Sequence, residues 1–345
     1  MSLHRTDAEA GEAAGGAGGV VVIGSSVMDV IGRPLKAFQA RSSAPGVVRL
    51  SPGGVARNVA ENLARLGVDV TLITAVGDDS PGNYLLEQAE AAGVDVRHAL
   101  TVTGERTGMY MGVLDPQGSL QLALDDMGLV RWLSQDYLRS KAPVLERAQA
   151  IFLDANVPTD SLELVLAIAD RAGIQVAADP TSASLAANLR PHLKDLWLVT
   201  PNVAEAEILC PHPSPRADLG TLQGAPSGVR SATPRDPLQG RDSAIEAARR
   251  LVAEGVEIAL VTMAEFGVGY ASAETRGHIP AVKTEVIDST GAGDAQTAAV
   301  LFGLLSGIPL DESVRLGASA AALTLRTQGS VAPDLSLERL YDGLR

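Results

Sequence analysis

The sequence predicts an α/β fold with a doubly wound, mostly parallel central sheet and helices on both of its faces. The first apolar run, residues 20–24, ends in Gly24 and has the short, fully apolar form of a buried parallel strand. From Gly53 onward, strand-like and helix-like segments alternate along the chain. This alternation is typical of sheets in which a helix connects each parallel strand to the next.

The elements after Gly53 follow one another in a regular order. Apolar residues recur at helical spacing between Val55 and Leu66, and Gly67 ends this predicted helix. A strand at residues 69–75 and a helix at residues 81–92 come next. The remaining predicted strands are residues 150–154, 175–178, 196–199 and 257–262, and the remaining predicted helices are residues 160–172, 202–209 and 242–254.

Two β-prone segments, about residues 30–50 and 106–127, interrupt this alternation. In the second, two alternating runs flank Asp115-Pro116-Gln117-Gly118, a sequence typical of the turn of a β-hairpin. Together the segments predict a small β-sheet beside the main domain, which we expect to act as a lid. The exposed edge of such a sheet favours pairing with a second copy, so the sequence also predicts a homodimer through the lid.

The predicted domain covers residues 20–345. Residues 1–19 are rich in Ala, Gly, Glu and Asp and lack the apolar stretch of a signal peptide, so they predict a disordered tail. Residues 211–240 are rich in Pro, Gly, Ser and Arg without periodicity, and they predict a flexible insertion.

Composition excludes several classes of protein. The net charge of -13 and the aromatic content of 3% argue against a nucleic-acid partner. Cys210 is the only cysteine, so the chain has neither a disulfide framework nor a cysteine metal cluster. No run is apolar and long enough to span a membrane, and we therefore expect a cytoplasmic protein without a membrane partner.

The strongest local signal is residues 288–294, Asp-Ser-Thr-Gly-Ala-Gly-Asp, followed by an apolar helical run. Gly291 and its small neighbours permit a tight turn at the start of a helix. The backbone N–H groups of Ala292, Gly293 and Asp294 can converge there on an anion, at the positive end of the helix dipole. A carboxylate at such a place, that of Asp294, predicts a base that accepts a proton from a hydroxyl attacking phosphorus.

Other polar residues follow predicted strands at the carboxyl edge of the sheet, where ligands of open α/β sheets gather. Asp29 follows the first strand, and Asn156 follows the strand at residues 150–154. Gly53 and Gly54 precede a helix that carries Asn58. These residues fit either a plain loop with a solvated helix face or a close approach to a hydroxyl-rich ligand, with the amide as donor and acceptor.

Two further segments have both a structural and a functional interpretation. Asn202 and Glu205 fit an ordinary helix N-cap with an acidic first turn, or a pair that orients hydrated Mg²⁺ near phosphates. Thr262, Glu265 and Gly267 follow the last parallel strand, and they fit a plain turn or the lining of a nucleotide phosphate or ribose site.

In this order, the motifs resemble those of the ribokinase-like, or phosphofructokinase-B, family of carbohydrate and nucleoside kinases. The resemblance spans residues 20–344 and depends on residues 53–58, 200–205, 261–267 and 288–294. Within the family, residues 51–67, 122–127 and 154–156 are most similar to pseudouridine kinases, which favours a nucleoside substrate over a free sugar. The chain departs from the family's usual pattern at Val203, where an acidic residue is common, and at Ala264, where glycine is usual.

The resemblance implies a ribokinase-like fold and ATP-dependent phosphorylation of the 5′-hydroxyl of pseudouridine, with Mg²⁺ as cofactor. It makes Asp294 the catalytic base and the amides after Gly291 its anion hole. It assigns the ribosyl group to Asp29, Gly53, Gly54, Asn58 and Asn156, the Mg²⁺ and phosphates to Asn202 and Glu205 (the latter through water), and the nucleotide to Thr262, Glu265 and Gly267. A monovalent cation, K⁺, is implied at Asp288 and Thr290, with backbone groups near Thr324, Thr327 and Gly329.

Two alternatives stay open at this stage. One is a kinase for another nucleoside or sugar, such as adenosine, ribose or 2-keto-3-deoxygluconate. Another is a non-catalytic sensor of nucleotides or sugars on the same fold. A dinucleotide-dependent oxidoreductase shares the alternation of strands and helices, but no G-x-G-x-x-G follows the first strand.

Overall fold

The computed structural model describes residues 18–37, 41–118, 120–211 and 237–345. The strands are β1 Gly18–Ile23, β2 Val27–Pro34, β3 Gly46–Gly53, β4 Val70–Ile73, β5 Ala75–Gly77, β6 Leu100–Val102, β7 Met109–Leu114, β8 Leu120–Asp126, β9 Ala148–Asp154, β10 Gln175–Asp179, β11 Leu198–Val199, β12 Ile258–Thr262, β13 Val268–Ser272 and β14 Arg276–Ile279. The helices are α1 Val55–Arg65, α2 Ser80–Ala91, α3 Gln135–Ser140, α4 Ala142–Leu145, α5 Thr159–Ala172, α6 Ala183–Leu189, α7 Val203–Leu209, α8 Pro237–Ala253, α9 Ala292–Leu305, α10 Leu310–Leu325 and α11 Leu337–Asp342.

Eight strands form the central sheet in the order β14-β13-β12-β11-β10-β9-β1-β4. The six strands from β4 to β12 along this order are parallel. The last two, β13 and β14, are antiparallel and form one edge. The predicted doubly wound, mostly parallel sheet is therefore confirmed, whereas the antiparallel edge is an addition to the predicted strands.

The core lies on both faces of this sheet because successive side chains of a strand point to opposite sides. In β1, Val20 and Val22 pack in a cluster with residues of α1, α9 and α10. Val21 and Ile23 pack in another cluster, with residues of α5, α7 and α8. Burial on both sides explains why β1 has a continuous apolar sequence rather than an alternating one.

A second sheet of four strands has the order β3-β2-β7-β8. It contains both β-prone segments, and the hairpin of β7 and β8 turns at the predicted place, where Gly118 N donates to Asp115 O at 3.0 Å. The small β-sheet is thus confirmed. Asp29 and Ile31 lie on one face of β2 because they are two residues apart, and Arg49 lies on that face because it pairs with Ile31. This face, which carries Asp29 and Arg49, is called the inner face. Its function as a lid stays a prediction.

Two boundaries differ from those predicted. The first strand begins at Gly18, so the last two residues of the predicted tail, Gly18 and Gly19, belong to the central sheet, where Gly18 pairs with Ala148. At the other boundary, α8 begins at Pro237, inside the predicted insertion. The rest of the tail, residues 1–17, and of the insertion, residues 212–236, lies outside the described residues.

The predicted strand at residues 69–75 is divided between two sheets. Its first part is β4, and β5 instead pairs with β6 in a two-stranded sheet that the sequence did not predict. Along the part of the chain that the structure describes, no helix has both the length and the apolar character needed to cross a bilayer. The cytoplasmic location stays a prediction.

Candidate active site

Asp154 at the carboxyl end of β9 fixes the turn after β1 and the start of α1 in one place. Its Oδ2 accepts hydrogen bonds from Ser25 N at 2.8 Å, Ser25 Oγ at 2.6 Å and Ala56 N at 3.1 Å. Its Oδ1 accepts one from Asn156 N at 3.0 Å. Burial raises the pKa of Asp154, and the hydrogen bonds from Ser25 and Asn156 oppose this shift. Asp154 therefore positions the predicted site residues around it.

Gly53 and Gly54 are required by the packing of the protein itself. A Cβ at Gly53 would lie 2.3 Å from the carboxylate of Asp29. At Gly54, where φ is 96°, a Cβ would lie 2.5 Å from Ser25 O. The close approach that the sequence assigned to a ligand is thus an approach of β3 and α1 to neighbouring protein atoms. Contact of these glycines with a ribosyl group stays a prediction.

Asn58 on α1 holds the carboxylate of Asp294 on α9. Its Nδ2 donates to Asp294 Oδ2 at 2.7 Å. Its Oδ1 accepts from Arg57 Nη1 at 3.0 Å and from Ser330 Oγ at 2.9 Å. Only 3% of Asn58 is exposed, so both ends of its amide are committed to the protein. Whereas the sequence assigned Asn58 to the substrate, its contacts in the structure orient the predicted base.

Two carboxyl groups of the site have pKa values near neutrality. Burial raises the pKa of Asp294 to about 7, the hydrogen bond from Asn58 lowers it, and the charges of Asp29 and Asp154 raise it further. Burial also raises the pKa of Asp29 to about 7, against the lowering charge of Arg57. A carboxylate with a pKa close to the working pH is suited to general base catalysis.

The start of α9 presents free backbone donors beside Asp294. Gly291 precedes the helix with a φ of 76°, and a Cβ there would lie 2.0 Å from Ser330 O, so glycine is required. The first intrahelical bond runs from Ala295 N to Gly291 O at 2.9 Å. The N–H groups of residues 292–294 precede this bond, and the first N–H groups of a helix have no helical acceptor. The predicted anion cradle therefore has the expected backbone geometry.

A cavity of about 610 Å³ opens beside this cradle. Ala292 and Gly293 of the cradle line this cavity. Asn202 and the predicted nucleotide residues, Thr262, Glu265 and Gly267, line it too. Ala264 also lines the cavity and has a φ of 49°, a left-handed conformation that favours the glycine usual at this position. The structure thus brings residues from three separate motifs around one space of suitable size for a nucleotide.

Asn202 and Glu205 form a capping box at the start of α7. Glu205 N donates to Asn202 Oδ1 at 3.0 Å, while Glu205 accepts from Asn202 N at 2.8 Å and from Asn202 Nδ2 at 2.7 Å. The N-cap interpretation is therefore correct locally. Because both carboxylate oxygens are occupied, this donor set suits Mg²⁺ held through water and phosphate oxygens, not direct ligation. Among the described residues, no group of three or more His, Cys, Asp or Glu is arranged to hold a metal ion.

Asp179 at the end of β10 is a polar residue of this edge that the sequence reasoning missed. Its Oδ1 accepts from Thr181 N at 2.7 Å and its Oδ2 from Thr200 Oγ1 at 2.9 Å. Burial raises the pKa of Asp179 well above its usual value, and the charges of Asp294 and Glu205 add to this shift. The rule that singled out Asp29 and Asn156, a polar residue directly after a strand, could have found it.

At the predicted cation site, Asp288 and Thr290, the carboxylate of Asp288 is surrounded by hydrogen-bond donors. Asp288 Oδ1 accepts from Thr290 N at 3.1 Å and from Thr290 Oγ1 at 2.9 Å. Its Oδ2 accepts from Gly329 N at 3.3 Å and from Arg49 Nη2 at 3.2 Å. Gly329 supplies an N–H donor instead of a carbonyl oxygen, and the carboxylate already faces a guanidinium. A K⁺ ion coordinated by this carboxylate is not favoured by that arrangement, and the cation site stays a prediction.

A buried carboxyl, that of the predicted base Asp294, lies beside helix-start amides at the carboxyl ends of parallel strands and next to a nucleotide-sized cavity. This arrangement suits a phosphotransferase. The family comparison agrees with this class. The chain belongs to the pfkB family of carbohydrate kinases, whose family model matches residues 18–336. It is thus a kinase that transfers phosphate to an alcohol group, on the ribokinase-like fold that its predicted motifs resemble.

Individual proteins are similar over nearly the whole chain. The pseudouridine kinase of Escherichia coli (strain K12) is 33% identical over 320 residues, which are 92% of this chain and 94% of that protein. The structure of Arabidopsis thaliana ribokinase complexed with ribose and ATP has a TM-score of 0.75 at 20% identity, with 95% and 99% of the two chains covered. A candidate ribokinase II from E. coli, in complex with ATP and Mg²⁺, has a TM-score of 0.76 at 19% identity with the same coverage.

Proposed function

We propose that the protein transfers the γ-phosphoryl group of ATP to the 5′-hydroxyl of pseudouridine, which gives pseudouridine 5′-phosphate and ADP. The observation that carries this proposal is the carboxyl of Asp294, with a pKa of about 7, held by Asn58 beside the amides of α9. Similarity to the pseudouridine kinase of E. coli along 92% of the chain supports the choice of substrate.

In the proposed reaction, Asp294 accepts the proton of the 5′-hydroxyl as its oxygen bonds to the γ-phosphorus and the bond to the bridging oxygen of ADP breaks. The amides of residues 292–294 donate to the phosphoryl oxygens, on which negative charge lies. Asn202, Thr262, Glu265 and Gly267 hold the nucleotide in the cavity that they line. When bound, Mg²⁺ neutralises phosphate charge, and Asn202 and Glu205 hold it through water.

The acceptor is proposed to lie between the main domain and the inner face of the small sheet. Asp29 on β2 and Asn156 after β9 are the polar side chains assigned to its hydroxyl groups. Asn156 Nδ2 lies 3.4 Å from Ser25 Oγ, a weak contact, and the side chain also hydrogen-bonds Asp154. The Oδ1 acceptor of the amide is the group proposed to bind a ligand hydroxyl. Closure of the small sheet as a lid over this space keeps water from the γ-phosphoryl group and so limits ATP hydrolysis.

A substrate panel tests the proposed function. We expect pseudouridine to give the largest kcat/KM in an assay of ADP release, above uridine, adenosine, ribose and 2-keto-3-deoxygluconate. Uridine is the decisive comparison, because it lacks the extra N–H donor of the pseudouridine base. A site that binds this donor loses at least about tenfold when the donor is absent. The Asp294→Asn variant serves as the control for contaminating ATPase activity. Equal values for uridine and pseudouridine, or a larger value for any other acceptor, would refute the proposed substrate.

We also propose that two copies of the chain pair through the outer face of the small sheet. The register aligns Leu50, Val30, Met111 and Leu124 in one row across the four strands. Leu50 is 65% exposed and Leu124 is 62% exposed, so this row ends in an exposed leucine on each edge strand of the sheet. A second copy of the same face would cover them, since twofold-symmetric pairing makes a surface self-complementary.

Sedimentation of the purified protein tests this pairing. We expect wild type to sediment as a dimer and Leu124→Asp to sediment as a folded monomer, because a charge would be buried in the interface. Leu337→Asp, at an exposed leucine of α11 away from the small sheet, is the matched control and should stay dimeric. A monomeric wild type, or a dimeric Leu124→Asp variant, would show that this face is not the interface.

A further inference from the structure

Asp288 lies on the loop that leads into the anion cradle, and its carboxylate forms an ion pair with an arginine of the small sheet. Arg49 projects from the inner face of β3 and places Nη2 3.2 Å from Asp288 Oδ2. The carboxylate side chain is only 11% exposed, while the arginine side chain is 34% exposed. A mostly buried carboxylate needs a compensating charge, and a guanidinium keeps its charge at every pH at which proteins fold.

The other contacts of Asp288 connect this ion pair to the cradle. Both donors from Thr290 bind Asp288 Oδ1, and Thr290 directly precedes Gly291, whose left-handed conformation begins α9. Gly329 N binds Oδ2, the oxygen that Arg49 also contacts. The carboxylate thus joins three segments: the small sheet, the loop before α9 and the loop after α10.

The negative charge of Asp288 acts on a second carboxyl of the site, so its neutralisation by a cation matters. The charge of Asp288 contributes to the raised pKa of Asp29, so the two carboxyls interact across the acceptor side of the site. A cation on Asp288 reduces this repulsion, whether it is an arginine or a metal ion. With Arg49 in place, a second cation near Oδ2 would meet the positive guanidinium and the N–H of Gly329, both of which repel it.

We propose that Arg49 takes the place of a monovalent cation at Asp288, so that the cradle is ordered by the chain itself and the reaction does not depend on K⁺. The proposal rests on the proposed kinase function for its rate measurements but not for its measurements of unfolding. Arg49 is a positioning residue, since it acts on the cradle through Asp288 and Thr290.

Removing the charge of Arg49 tests the proposal. Arg49→Gln removes the charge and leaves a shorter polar side chain, so one acceptor position of Asp288 becomes free beside a cavity of about 280 Å³ lined by both residues. Arg33→Gln is the matched control, because Arg33 lies on β2 of the same sheet and donates to Pro116 O, away from Asp288. Initial rates and melting temperatures are measured in KCl, NaCl and tetramethylammonium chloride at equal ionic strength.

We expect wild type and Arg33→Gln to have the same rate in all three salts within about twofold. Arg49→Gln should lose about tenfold in tetramethylammonium chloride and regain most of this loss in KCl, since a charged partner of the carboxylate is lost and then replaced. KCl should also raise the melting temperature of Arg49→Gln and leave that of wild type unchanged. This last measurement needs no substrate, so it tests Arg49 even if the proposed substrate is wrong.

Three results would overturn the proposal. Activation or thermal stabilisation of wild type specifically by K⁺ would show that the protein binds this ion with Arg49 present. Equal rates for Arg49→Gln and Arg33→Gln in tetramethylammonium chloride would show that the ion pair does not order the cradle. A loss in Arg49→Gln that K⁺ does not restore would show that the arginine only holds the small sheet in place.

Discussion

Replacement of Asp294 by asparagine is expected to lower kcat by about 10²–10⁴-fold, the usual contribution of a general base, while the fold stays intact. Asparagine has the same size, and its Oδ1 can still accept the hydrogen bond that Asn58 Nδ2 donates to Asp294 Oδ2 at 2.7 Å. It cannot take a proton from the acceptor hydroxyl. Rates of ADP release, with circular dichroism as the check of folding, measure the effect.

Stability should change in the opposite direction to activity. Burial raises the pKa of Asp294 to about 7 from the usual 3.8, so the folded state binds this proton more tightly than the unfolded state. The free energy of unfolding that this proton contributes is fully present below pH 3.8, the usual pKa, and it is lost as the pH rises through about 7, the pKa in the folded state. We therefore expect Asp294→Asn to melt above wild type on the alkaline side of pH 7, with a difference that shrinks toward acidic pH.

An exposed carboxylate provides the control for these measurements. Asp170→Asn on α5 removes one negative charge from the surface and should leave both the rate and the melting temperature close to those of wild type. Turnover of Asp294→Asn within about tenfold of wild type would remove Asp294 from its role as base.

Two glycines of one motif are expected to respond oppositely to the same change. Gly291→Ala should lower the melting temperature and reduce kcat/KM by about 10²–10³-fold, the typical contribution of a preorganised oxyanion donor. A Cβ at Gly291 would lie 2.0 Å from Ser330 O, and its φ of 76° is unfavourable for alanine. The turn must therefore shift, and the amides after it shift with it.

Gly293→Ala leaves the backbone in place and changes only the space above it. Apart from its chain neighbours and the nearby backbone of its own helix, no atom lies within 4 Å of a Cβ at Gly293. Alanine favours a helix interior over glycine by about 1 kcal/mol, and less in the first turn. The melting temperature should stay the same or rise. Because Gly293 lines the cavity, we expect the new methyl group to raise the KM for ATP.

The pair of glycine variants separates the stability of the turn from its use. Gly291→Ala with wild-type kinetics and melting temperature would mean that the left-handed turn is not needed for the cradle. Gly293→Ala with an unchanged KM for ATP would mean that the phosphates lie elsewhere.

The central sheet could be predicted because its strands are buried on both faces. Burial on both sides leaves a continuous apolar run, as in β1, and the helices between the strands have a clear apolar period, as in α1. The short strands β5 and β6 have three residues each, too few for a period to appear. The antiparallel strands β13 and β14 were missed because the alternation of strands and helices predicts only parallel strands.

The part of the site that lies within one short stretch of sequence could be predicted. Residues 288–294 supply the turn, the amides and the base within seven positions, so their chemistry could be inferred from spacing. Ser330 reaches Asn58 and Arg49 reaches Asp288 from distant segments, and only the folded chain shows these contacts. For the same reason, the sequence could not show that Asn58 binds Asp294, or that an arginine pairs with the carboxylate of Asp288.

The pH dependence of kcat/KM, compared between wild type and Asp294→Asn with the same acceptor, tests the role of Asp294 most directly. We expect the wild-type value to rise with increasing pH and to reach half of its maximum near pH 7, where the pKa of Asp294 lies. The variant should show a low, flat profile between about pH 5 and 9. A variant that kept the rise near pH 7 would assign the titration to another carboxyl, such as that of Asp29, and would contradict the proposed mechanism.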